Sequence, residues 1–292
     1  MKALFTATAI ISIIITVAIF LSLAVEAWNF IRGVDPASLI EIGWFPRRGL
    51  YDMATLLLGT LLVSVIAMVV AAPLGLGAAV FLSEYARPRT RRTIKPILEI
   101  LAGVPSVTLG YFAIAFITPS LLQPVLGSGR VGFFNMAAAG IGVGILTLPL
   151  VASVSEDAMR AVPMALREAA YGLGARRWEV SFRIVFPAAI SGVVASLVIG
   201  FSRAVGETMV VAIASGATGG SLRSGNILQP GQTMTAAMAA LGAGTDQVAG
   251  GAGSAAGNAF QSLFFIGLLL FFITFVLNLM GDRFVRRIQE RY

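Results

Sequence analysis

The chain alternates between long apolar runs and short polar stretches rich in arginine. A helix of about 20 apolar residues spans roughly 30 Å of hydrocarbon, and six stretches have that character: 4–25, 55–82, 97–118, 133–154, 188–214 and 260–281. They predict an all-α integral membrane protein with about six transmembrane helices. The first run is longer than the roughly 7–15 apolar residues of a secretory signal, and only Lys2 precedes it, so it is expected to stay as a helix. Pro73, Gly75 and Gly77 predict a bend or break in the second run. In the third, Gly103, Pro105 and Ser106 have two readings, a simple bend or backbone groups opened toward a cavity. Gly140 and Gly144 form a G-x-x-x-G in the fourth, which suits close helix–helix packing. Trp28 and Trp44 are expected to anchor at the membrane interface.

Charge between the runs sets an expected orientation. Arg87, Arg89, Arg91, Arg92 and Lys95 lie between the second and third runs; Arg160, Arg167, Arg176, Arg177 and Arg183 lie between the fourth and fifth. Arg283, Arg286, Arg287 and Arg291 follow the last. The alternate loops are poorer: Arg130 is the only basic residue at 119–132 and Arg223 the only one at 215–258, while Arg32, Arg47 and Arg48 are offset by four acids at 26–54. The positive-inside rule therefore places both termini in the cytoplasm, as an even number of spans requires. Residues 87–95 read as topology charge, with docking to a partner as the other reading. The Gly/Ala-rich stretch 242–258 reads as an external linker.

Composition narrows the chemistry. Of the 292 residues 57% are hydrophobic and 12% charged, where a soluble domain carries about a quarter charged; mean hydropathy is +0.88. The net charge of +7 raises nucleic-acid binding as a class. The arginines, however, sit between apolar runs and not along one polar face, so the partner they imply is the lipid bilayer and no nucleic acid. The chain has no Cys and no His, which excludes disulfides, thiol catalysis, Cys/His zinc sites and His-centred triads. Neither of its two lysines follows a G-x-x-x-x-G-K-[ST] loop. No cofactor is expected on this chain; if ATP and Mg are used, a separate subunit holds them.

The segment 154–189, VSEDAMRAVPMALREAAYGLGARRWEVSFRIVFPAA, is the most informative loop. Pro163 suits a first helical turn and Gly172 or Gly174 an end. Leu166, Ala169, Ala170 and Leu173 fall at i, i+3, i+4 and i+7, an apolar stripe whose alanines admit close approach of another surface. A second short helix is expected from about Arg176 to Val185, ending before Pro187. The pair reads either as a helix–turn–helix that passes rigid-body motion from a soluble partner, or as an interfacial helix on lipid; the acids Glu168 and Glu179 argue against a purely cationic lipid face.

Glu168, Ala169, Ala170, three residues, Gly174, nine residues, Ile184, one residue, Phe186 and Pro187 resemble the EAA loop of bacterial ABC importer permeases, with Phe186 where the family usually has Leu. That resemblance implies a type I ABC importer permease fold, no enzymatic activity of the chain's own, and coupling helices that dock on an ATPase subunit through Leu166, Glu168, Ala169, Ala170, Leu173, Gly174 and Pro187. The segments AAPLGLGAAVFLSEYA (71–86), EILAGVPSVTLGYFAIAFITP (99–119), GFSRAVGETMVVAIASG (200–216), QTMTAAMA (232–239) and FFITFVLNLMGDRFVRR (271–287) are similar to the phosphate-specific Pst permeases, the PstC type more than the PstA type. The family's pattern implies a bacterial inner-membrane complex. It contains one PstC-like and one PstA-like permease, two PstB-like ATPase subunits carrying ATP and Mg, and an external PstS-like phosphate-binding protein. The linker 242–258 departs from the family, whose segment is shorter and more varied. On this reading 1–54 is an N-terminal helix with an external loop, 55–285 the permease core with coupling loop 154–187, and 286–292 a cytoplasmic tail.

Arg203 and Glu207 lie four apart in an apolar span, and charge at bilayer depth costs several kcal/mol. Either they form an ion pair that pins the helix to its neighbours, or Arg203 belongs to an anion pathway with Glu207 tempering its affinity. The resemblance implies functional importance for both; Thr208 is a neutral donor candidate nearby. Three other functions remain on these residues. One is a permease for another oxyanion, molybdate or sulfate; another is a stand-alone secondary carrier, for which Glu207 is the only clear titratable group in the last three runs. A non-transporting sensor or scaffold is a third.

Overall fold

The structure, a computed structural model, describes residues 2–40, 43–217, 225–244 and 255–289. Eleven helices organise these residues: α1 Lys2–Gly33, α2 Met53–Tyr85, α3 Pro88–Ala102, α4 Ser106–Leu126, α5 Met136–Arg160, α6 Met164–Gly172, α7 Arg177–Ala188, α8 Ile190–Val205, α9 Met209–Ala214, α10 Met234–Gly242 and α11 Ala255–Gln289. Helices α1, α2, α4, α5 and α11 are long and apolar enough to cross a bilayer. The bent pair α7–α8, with 70° between its halves, supplies a sixth candidate span. The fold is all-α, as the apolar runs require, apart from a two-residue hairpin, β1 Trp44–Phe45 and β2 Leu50–Tyr51.

Helices α2, α3, α4, α8 and α9 pack around α5. Its small residues let α2 approach so closely that a Cβ on Gly140 would lie 2.6 Å from Ile66 Cβ, and one on Gly144 2.8 Å from the Ala67 carbonyl oxygen. The G-x-x-x-G is thus a packing face. Around this seam Val63, Leu109, Ile117, Met136, Val143 and Val210 form the main core. A second cluster joins Phe30, Trp44, Tyr51, Leu56, Met234 and Ile266. Helix α1 lies along α11, where Phe20 meets Phe271 at 5.6 Å between ring centroids, and turns Ile10, Ile13 and Ile14 outward.

Several expectations change. Of the bend or break expected at Pro73, the break is not formed: α2 is continuous through the proline, which removes one hydrogen bond, and Gly75 seated against Val151 holds that part of the helix to α5. The run at 97–118 divides. Its first part belongs to the amphipathic α3, whose chain turns at Gly103–Pro105, and the span itself is α4, extending to Leu126 through a π-helical stretch that accommodates Pro119. Trp44 is no interfacial anchor; it is buried edge-on against Tyr51 at 5.9 Å, whereas Trp28 is exposed beneath the Arg32 guanidinium. The loop expected at 215–258 contains α10, capped by Thr233 and buried at Met234, Ala236, Ala237 and Leu241. Of the linker 242–258, residues 245–254 lie outside the described residues, as do Arg223 and Arg291.

Candidate functional site: the helical hook and the Arg203 cleft

Helices α6 and α7 form a hook at one end of the molecule. Helix α6 ends because Gly174 adopts φ +82°, where a side chain would be strained. Its N–H donates to the Tyr171 carbonyl at 2.9 Å and that of Ala175 to the Ala170 carbonyl at 3.1 Å, a pairing that closes the helix end and reverses the chain. Helix α7 opens with the Glu179 carboxylate accepting the Arg176 N–H at 2.8 Å. It does not stop before Pro187 but runs to Ala188. Residues 180–185 are π-helical, and Pro187 stands where the hydrogen-bond register returns to α, so its missing donor interrupts nothing. The break falls at Ala189.

The predicted stripe on α6 is divided between two surroundings. Ala170 is 6% exposed and packs with Ala79, Met159, Val162 and Val180. Leu166, Glu168, Ala169 and Gly174 face outward, and Leu173 is 90% exposed. Pro187 is half-buried at the bend. The chain therefore grips the hook from one side and leaves an apolar and acidic surface free on the other.

Two sets of contacts, absent from the sequence reading, hold this end together. Glu84, near the end of α2, receives Arg167 Nη2 on Oε1 at 3.0 Å, with side-chain exposures of 6% for Glu84 and 12% for Arg167. Arg177 Nη2 donates to the Glu84 carbonyl at 2.6 Å, and its guanidinium lies 5.2 Å from the Tyr85 ring centroid. On the neighbouring face Glu156 of α5, wholly buried, accepts from Arg91 Nε at 2.5 Å and lies 3.1 Å from Lys95 Nζ, which also binds Asp157 at 2.9 Å. Burial of Lys95 works to lower its pKa, but its hydrogen bonds to Asp157 and Glu156 outweigh this and the net shift is upward. Two residues of the basic run thus bind α3 to α5. The signals were present as Arg91 and Lys95 four apart and the adjacent acids Glu156 and Asp157, but their meeting depends on tertiary structure.

Between α3, α5 and α8 opens a cleft of about 280 Å³ with Lys95, Glu99, Ser153, Glu156 and Arg203 on its wall. The expected pairing of Arg203 with Glu207 is not formed. Helix α8 ends at Val205, Gly206 turns the chain, and Glu207 falls beyond the helix. The i, i+4 relation holds only within a helix, and among the described residues no ion pair joins the two. Glu207 turns instead to the start of α9, with Oε1 3.5 Å from the Val210 N–H, and its carbonyl accepts from Thr235 Oγ1 at 2.7 Å. Thr208 is half-buried and donates to the Gly206 carbonyl at 3.3 Å. Arg203 is exposed to the cleft side of the break, free of that carboxylate.

Packed spans, a broken late helix and a projecting two-helix hook define a multi-pass permease. The chain belongs to the family of binding-protein-dependent transport system inner membrane components, which matches residues 71–291. Among relatives it is 32% identical over 298 aligned positions to the phosphate transport system permease protein PstC of Haemophilus influenzae, covering 97% of this chain and 91% of that one. It is 30% identical over 302 positions to the PstC of Mesorhizobium japonicum, covering 98% and 89%. Among solved structures, a bacterial alginate ABC transporter in complex with an alginate pentasaccharide-bound periplasmic protein superposes with a TM-score of 0.67 at 15% identity, over 98% of this chain and 94% of that one. The inward-facing MetNI methionine ABC transporter gives 0.58 at 19% identity, over 81% and 97%. The fold is that of a type I ABC importer permease.

Proposed function

We propose that the chain is one of two permease subunits of an ATP-driven importer of inorganic phosphate in a bacterial inner membrane, with both termini cytoplasmic. The near full-length similarity to PstC proteins supports the substrate. A homologous PstA-like permease completes the pathway, two PstB-like subunits bind Mg and ATP, and a PstS-like protein delivers phosphate from outside.

The observation that carries the coupling is the free face of the hook, where Leu166, Glu168, Ala169 and Leu173 project from a helix held on its other side by Ala170. An apolar face of this kind suits a groove on a soluble subunit. When the ATPase subunits close, the hook is displaced and the spans open outward; hydrolysis restores the inward-open state. The two states differ in the contacts each partner makes, and that difference couples ATP to transport. Arg203, on the wall of a cleft that also carries carboxylates, offers phosphate a charge that attracts without trapping.

Glu168→Arg in the assembled complex tests the coupling: uptake and phosphate-stimulated ATP hydrolysis should both fall, and survival of both would refute the docking role. Phosphate-, molybdate- and sulfate-binding proteins, offered in turn, identify the substrate by which of them stimulates hydrolysis; stimulation by phosphate-loaded protein is expected.

A further inference from the structure

We infer that Glu84 is a positioning residue for energy coupling, a clamp that makes the hook and α2 move as one body. The inference rests on the reading of the hook as the docking element and adds where its motion goes.

Glu84 and its neighbour Tyr85 touch both hook helices. The carboxylate holds Arg167 of α6 at 3.0 Å, and Ser83 Oγ donates to the same Oε1 at 2.8 Å. Arg167 is fixed from the other side as well: Nη1 donates to the Val162 carbonyl at 2.5 Å and Nη2 to the Met159 carbonyl at 2.9 Å. Its guanidinium therefore fills the corner between α5, α6 and the end of α2. Arg177, the first residue of α7, donates to the Glu84 carbonyl and lies over Tyr85. The last carbonyls of a helix have no partner within it, so this bond uses a group that α2 leaves open. Residues 81–85 are a π turn, a widened geometry that recurs where helices carry function.

These contacts are directional. Apolar contacts alone, such as those among Ala79, Ala170 and Val180, impose no single orientation, because the hydrophobic effect is non-directional. A largely enclosed ion pair with further hydrogen bonds has one good arrangement. Motion of the hook is accordingly delivered to α2, and α2 meets α5 at the glycine seam in the middle of the core. An ion pair that served stability alone would lower yield when broken; a clamp lowers the phosphate moved per ATP in complexes that still assemble.

The test uses the reconstituted complex of both permeases, the ATPase subunits and the phosphate-binding protein, with Glu84→Gln, Glu84→Arg, Arg167→Glu and the double swap Glu84→Arg/Arg167→Glu. In Glu84→Gln the ATPase subunits should still co-purify and hydrolyse ATP, while phosphate transported per ATP falls about tenfold, an ordinary coupling effect. The single reversals should fall at least as far and the swap should recover. An unchanged ratio in Glu84→Gln overturns the inference, as does a swap no better than the single reversals. Failure of even the near-isosteric Glu84→Gln complex to assemble also overturns it. Leu173→Arg, on the free face, separates the two readings. If it releases the ATPase subunits while Glu84→Gln transports normally, only the clamp is wrong; if the ATPase stays bound and uptake persists, the docking reading fails and the clamp with it.

Discussion

Gly174 and Gly140 are small for different reasons, and each reason predicts its own failure. At Gly174 the backbone is left-handed with open space around the missing Cβ. A β-branched residue there costs about 1–2 kcal/mol in backbone strain and loosens the turn between α6 and α7. Gly174→Val is expected to leave the spans folded, with near-native circular dichroism and only a small fall in melting temperature, while uptake drops. At Gly140 the backbone is ordinary helix and the obstacle is Ile66. Gly140→Ala should separate α2 from α5 and cost about 1–3 kcal/mol by overpacking, seen as a lower melting temperature and lower yield in detergent. Both glycines were legible as glycines with work to do. Glu84 was not, because no local pattern marks an acid at a helix end as the partner of an arginine 83 positions later.

Elements were legible where they are long and apolar. Helices α1, α2 and α11 extend past their predicted runs at both ends and α5 past its C-terminal end, because helices continue beyond the hydrocarbon into polar turns. Prediction failed where hydropathy and helix boundaries part company. The amphipathic α3 shares its apolar residues with the following span, α8 stops short of Glu207, and α10 hides in a small-residue segment too short to cross a bilayer. The Arg203–Glu207 pairing was lost with that boundary, since one residue of turn at Gly206 is enough to take two side chains off a shared face.

Helix α3 offers a further check at this scale. Its hold on α5 depends on Glu156, and Glu156→Ala should cost about 2 kcal/mol, the value of hydrogen bonds to a buried charged group. The expected sign is faster hydrogen exchange in α3 with α5 still protected. Lys95 contributes to the same hold with a pKa raised from 10.5. Its share is complete below pH 10.5, shrinks as pH rises above that, and is gone beyond the folded value, so alkaline titration should loosen α3 progressively from about pH 10.5 upward.

For the molecule as a whole, the proposed function places three tasks on one chain: a free hook surface, a clamp to α2, and a cleft beside a helix break. Removing the cationic group from the cleft tests the last of these. Arg203→Ala should sharply reduce phosphate uptake with complex assembly intact, and normal uptake would make Arg203 a bystander. The central claim is that transport in this chain is driven from outside it, through the hook. The most direct measurement is phosphate uptake into vesicles containing this permease co-purified with its partner permease and ATPase subunits, with ATP and binding protein supplied, against vesicles containing this chain alone in a pH gradient. ATP-dependent uptake by the complex and none by the isolated chain is the predicted result; uptake by the chain unaided, or failure of an ATPase subunit to associate with it, would contradict the account.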